Sequence, residues 1–159
     1  MIKFTAVTVG LTVGNPDDEL CAAAEASRAD AAELQSAANE LTTLIQDPSF
    51  IGSDDPTALN EWGSTLRDLS ESSLAFYELG TTETKGEDVN ADFVALADFV
   101  NKYTMTLADT AASASTPAGF LADVSALFND PAVKDVTTAA PTAAAHVGAY
   151  IGERCGISG

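Results

Sequence analysis

The sequence predicts an all-α fold: an irregular bundle of three longer and two or three shorter helices, preceded by a short extended arm. Three observations carry that prediction. Apolar residues recur at three- and four-residue steps over long stretches, as one face of a helix requires. Alanine supplies much of a hydrophobic fraction of 46%, and alanine favours helix while filling little volume, so tight helix packing is expected. Asn, Asp or Thr stands directly before proline at Asn15-Pro16, Asp55-Pro56, Thr116-Pro117 and Asp130-Pro131. A side-chain oxygen at the N-cap followed by proline in the first helical position marks a helix start.

The elements follow in order. Residues 1–14 read as a short strand or extended arm, or as a partly ordered terminus, because Thr5, Val7, Val9 and Val13 bring β-branched side chains into an alternating run. The first helix spans about residues 16–46. Asn15 caps it, Asp17, Asp18 and Glu19 oppose its positive end, and Leu20, Ala24, Ala31, Leu34, Ala38, Leu41 and Ile45 form its apolar stripe. Residues 47–55 read as a loop. Leu59, Trp62, Leu66, Leu69, Leu74 and Tyr77 mark the second helix, with Trp62 as a core anchor. Trp62-Gly63 falls inside this pattern and is not the Trp-x-Gly turn of small secreted hairpins. Residues 80–90 read as a polar linker. Phe93, Leu96, Ala97, Val100, Tyr103 and Leu107 give the third helix, with Phe99 on its other face. Short helices open at Pro117 and Pro131. Pro141 is expected to begin the last helix, since proline inside a helix removes a hydrogen bond. Gly156 suits a left-handed cap after Cys155. The bundle thus covers residues 15–156, with 157–159 as a tail.

A chain of 159 residues is long enough for one domain with a core of its own. The charge is −17, from 24 acidic and 7 basic residues. Such a surface excludes nucleic acid, whose phosphates call for cations, and is repelled by anionic membranes. A halophilic origin and solubility after export both account for it. No stretch is long and apolar enough to be a transmembrane helix. Met1 to Gly14 has a faint likeness to a signal peptide, but threonines interrupt it and no cleavage site follows. The preferred reading is an extracellular or cell-surface protein that carries an added Met1 in place of its removed export signal. The other is a cytoplasmic or virion protein starting at a native Met1.

Cys21 and Cys155 are the only cysteines. They match a single structural disulfide in an oxidising compartment, and buried thiols in the cytosol. There is no Cys-x-x-Cys redox unit, and two distant cysteines alone make no zinc site.

Catalytic frameworks are lacking, so the chain reads as a non-enzyme. His146, the single histidine, has no recognisable nucleophile and orienting partner, and reads as a surface or cap residue. Haem ligation would fall to His146, Tyr77, Tyr103 or Tyr150. Asp54 with Asp55, and Glu87 and Asp88 with Asp92, are candidates for weak cation contact but form no EF-hand loop. No phosphate loop or dinucleotide fingerprint is present, and no cofactor is required.

Asn129-Asp130-Pro131-Ala132-Val133, then Pro141, then Glu153-Arg154-Cys155-Gly156, together with Cys21-Ala22-Ala23-Ala24, resemble the ends of small disulfide-clipped helical domains in actinobacterial exported proteins and lipoproteins. The resemblance covers the terminal regions only, not the Trp62 region. Mycobacterial secreted haemophores are similar in cysteine layout, which implies haem carriage as one role. This chain departs from them in lacking a His-Pro segment in its first half, so no ligand residue is carried over. The expected function is a non-catalytic binding or interaction module with a protein or small-molecule partner. The alternatives are a small-ligand carrier, haem included, and a viral or structural assembly protein using residues 1–14 as an arm.

Overall fold

A computed structural model describes residues 18–157. The expected arm at 1–14 and the Asn15-Pro16 start therefore lie outside the described residues. Everything described is helix or connection. In chain order the elements are α1 (Glu19–Gln46), α2 (Pro48–Ile51), α3 (Thr57–Glu83), α4 (Asn90–Phe99), a π-helical turn (Val100–Thr104), α5 (Met105–Ala112), α6 (Pro117–Asn129) and α7 (Pro131–Cys155). The all-α bundle of long and short helices is as the sequence predicts.

Most of the caps follow the expected chemistry. Thr116 accepts from the Gly119 amide and Asp130 from the Ala132 amide. The Asp55 carboxylate accepts from both the amide and the hydroxyl of Thr57, which holds it below the usual carboxylate range. The cap of α1 is Asp18, which accepts from the Leu20 and Cys21 amides. Gly156 closes α7 in the left-handed region, with φ +66°.

Three expectations need correction. The 47–55 loop contains one helical turn, α2, capped by Asp47. The linker begins later than Gly80, because α3 runs on to Glu83. Gly80 is a packing site: a Cβ there would come within 2.1 Å of the Phe93 ring. Thr84 then closes the helix fully buried, its hydroxyl donating to the Gly80 carbonyl and accepting from Asn90. Finally, Pro141 does not open a helix; it lies inside α7. Interior proline costs about 3 kcal/mol, but tertiary burial outweighs it. Val133, Val136, Ala140, Ala143, Val147 and Ile151 form one buried stripe that passes the proline without a break.

The interior has two centres. One joins Leu20, Cys21 and Ala24 of α1 to Phe76, Phe93, Leu96 and the α7 stripe from Ala140 to Cys155. The other gathers Ala37, Leu59, Trp62, Leu66, Leu107, Ala108, Ala111 and Phe120, and α7 takes no part in it. Trp62 is its anchor: buried to 4% exposure, it sits edge-on to Phe120 and donates its indole N–H to the Ala37 carbonyl at 2.8 Å. That bond turns Ala37 inward and leaves Ala38 exposed, which shifts the expected stripe of α1.

Small residues bring α3 against α5. A Cβ on Gly63 would lie 2.4 Å from the Ala112 nitrogen and 2.7 Å from the Ala108 carbonyl oxygen. These are backbone atoms and yield little. Gly63→Ala is expected to lower stability by about 2 kcal/mol in urea unfolding, despite alanine's higher helix propensity. An unchanged or higher midpoint would show that the helices can separate at no cost.

Candidate functional site

Cys21 and Cys155 are joined in a disulfide, with Cα atoms 5.5 Å apart and 134 residues between them in sequence. The bond ties the start of α1 to the end of α7, so the two helices run antiparallel. An ion pair reinforces the same corner. Arg154 donates through Nε to Asp18 Oδ2 at 2.9 Å, through Nη1 to the Tyr150 hydroxyl at 2.8 Å, and approaches Glu83 at 3.5 Å. Asp18 also caps α1. Its hydrogen bond from Arg154, aided by the amides of Cys21 and Leu20, lowers its carboxyl below the usual value despite opposing desolvation. Arg154 is correspondingly held further into its protonated range.

Beyond this corner the helices part. The far half of α1 joins the Trp62 centre, whereas α7 stays with Phe93 and Leu96. Between them lie two adjoining hollows of about 370 and 270 Å³ that share Tyr77, Leu96 and Ala144. One wall is α1, from Ala24 to Leu34. The other is α7, from Thr137 to Gly152, a run of about 22 Å at helical rise. The floor comes from Ser70, Ser73 and Tyr77 of α3 and from Leu96, Phe99 and Val100 around the π-helical turn.

This groove explains two departures from a plain bundle. Ala31 is exposed and Leu34 half-buried, although both belong to the apolar stripe of α1, because they face an open hollow. The π-helical turn sits where the floor needs Val100 and Thr104 on the groove side, in keeping with the frequent use of such turns at functional sites.

The groove is largely apolar, with a few hydroxyls. Ser70 is satisfied by the Leu66 carbonyl at 2.6 Å, and Thr137 by the carbonyls of Val133 and Lys134. The hydroxyls of Ser73, Tyr77 and Thr104 have no hydrogen-bond partner among the described residues. Ser73 is only 6% exposed. Desolvation raises the Tyr77 phenol above its ordinary pKa, so it stays a neutral donor at physiological pH.

The four haem-ligand candidates are not brought together. Tyr77 lines the groove. Tyr103 lies between Phe99 and Phe128, its phenol raised by burial. Tyr150 packs edge-on to Phe93 and is engaged by Arg154 and, at 3.4 Å, by Glu87. His146 is exposed on α7, its Nδ1 3.1 Å from Asp92. The acidic candidates have other partners: Asp55 accepts from Thr57, while Asp92 and Glu87 face His146 and Tyr150 on successive turns of α7. Among the described residues no group of three or more His, Cys, Asp or Glu is placed to hold a metal ion, and no helix is long and apolar enough to cross a membrane.

Sequence reasoning named Tyr77 but missed the groove around it. The available signal was a polar interruption, Ser70 and Ser73 seven and four residues before Tyr77, in a helix otherwise lined by leucine and aromatic groups. A comparison with protein-family models, curated proteins and solved structures finds no match to this chain.

The corner pair makes stability depend on acid. The folded pKa of Asp18 lies below the reference value of 3.8, so its contribution is present above that value and is lost as pH falls through the lower folded one. Asp18→Asn keeps a capping side chain but removes the charge. It should cost about 2 kcal/mol at pH 7, and the gap from wild type should narrow as pH falls below 3.8 in urea unfolding. A gap independent of pH would assign the loss to capping instead.

Proposed function

We propose that this chain is a non-catalytic binding module that carries a small apolar ligand in the groove between α1 and α7. The observation that carries the reading is the groove itself. Two adjoining hollows of about 370 and 270 Å³ approach the size of ordinary small-molecule sites, and their lining is mostly apolar with a few polar groups, as such sites require.

Gly148 adds support from energetics. It lies inside a long helix, where glycine costs about 1 kcal/mol relative to alanine. Among the described residues no packing reason offsets that cost, since a Cβ there would meet none of their atoms within 4 Å. The residue borders the 270 Å³ hollow, so its missing side chain keeps the space open. A docking surface for a large protein has less support. Among the described residues the large apolar side chains left exposed are Ile45, Val94 and Phe128, and these come from three different helices.

An exported protein is the setting we favour, because a structural disulfide persists in oxidising compartments. The layout of one cysteine in an early helix and one at the end of the last likewise supports kinship with actinobacterial exported domains. Protein taken from its native compartment should yield no alkylatable thiol by intact mass. Two alkylated cysteines would place it in a reducing compartment.

The binding reading is tested with N-phenyl-1-naphthylamine, a neutral apolar fluorophore. Wild type should show a saturable rise in emission. Gly148→Leu fills the hollow and should weaken binding about tenfold, while the urea midpoint holds or rises. Absence of saturable binding, or binding indifferent to Gly148→Leu, would reject the groove as a ligand site.

A further inference from the structure

Building on the ligand-carrier reading, we infer that the groove selects neutral long-chain acyl compounds, esters in particular, and that Ser73 and Tyr77 recognise the acyl carbonyl. Three observations on the groove converge on this class.

The first is shape. The α7 wall follows one helix face from Thr137 through Ala140, Ala144 and Gly148 to Gly152. It is long, with a line of small side chains flanked by Pro141, Val147 and Ile151, which suits an extended hydrocarbon better than a compact ring system. The α1 wall opposes it with Ala24, Ala31 and Leu34.

The second is hydrogen bonding. Ser73 and Tyr77 stand four residues apart on α3, so their side chains share one face. Both line the 370 Å³ hollow and neither hydroxyl is partnered among the described residues. Ser73 is more than nine-tenths buried. A serine in that position ordinarily turns back to the carbonyl four residues earlier, as Ser70 does to Leu66. Ser73 leaves that bond unmade and keeps its donor for the groove. A ligand carbonyl in the hollow accepts from both hydroxyls, neither of which is a fully buried atom lacking a partner in the free protein.

The third is charge. Among the described residues no Lys, Arg or His lines the hollow that holds these hydroxyls. A fatty carboxylate there would be a buried charge without a counterion, which is strongly unfavourable. Arg28 borders the other hollow and already approaches Glu25 at 3.8 Å. The overall charge of −17 also opposes an anionic ligand. An ester keeps the carbonyl and loses the charge.

Displacement of bound N-phenyl-1-naphthylamine by methyl dodecanoate, dodecane and dodecanoate separates the cases. Wild type should prefer the ester to the alkane by about fivefold and the ester to the carboxylate by more. Tyr77→Phe, which keeps the ring against Phe76, and Ser73→Ala should each erode the preference over the alkane while leaving the affinity for dodecane unchanged. Equal displacement by ester and alkane in wild type would overturn the inference and leave the groove intact as a ligand site. So would a preference that survives both substitutions, or tighter binding of the carboxylate. Failure of the fluorophore to bind at all would reject the carrier reading and the inference with it.

Discussion

The corner where α1 meets α7 constrains the rest of the structure. A covalent bond, a cap and an ion pair are concentrated there. Asp18 holds the α1 amides and the Arg154 guanidinium together, and Cys21 and Cys155 lie just inside. Because both helices are long and antiparallel, fixing them at one end leaves their other ends free to follow different partners. Trp62 draws α1 toward α3, α5 and α6 through its bond to Ala37. Phe93 and Leu96 keep α7 over α4. The groove is the space left by that divergence.

Small residues play opposite parts in the two halves of the molecule. At Gly63, Ala108 and Ala111 they let backbones approach until no further atom fits. At Gly148 and Ala144 they leave a hollow open. The same residue types therefore produce close packing where a helix faces them and a cavity where none does. Alanine-rich composition alone does not separate the two outcomes.

Polar side chains in the helices divide in a similar way. Most serine and threonine hydroxyls turn back to a carbonyl in the preceding turn of their own helix, as Thr42, Ser64, Thr110 and Ser125 do. Those hydroxyls satisfy themselves and carry no recognition. Ser73, Tyr77 and Thr104 make no such bond among the described residues, and all three border the 370 Å³ hollow. Chemistry available to a ligand is thus a matter of which hydroxyls the helices leave unused.

By itself the sequence determined the helical class, most of the helix starts and the place of Trp62 in the core. These are local properties: periodicity, Asp or Thr before proline, and a large aromatic residue on an apolar stripe. The two cysteines were visible as the material for one bond. What only the tertiary structure decided is where local rules are overruled. Pro141 lies inside α7 because a buried stripe continues on both sides of it, and Gly80 lies inside α3 because the Phe93 ring covers it. The groove was illegible for the same physical reason. An open hollow depends on two helices distant in sequence failing to touch, and no residue on either helix records the distance to the other.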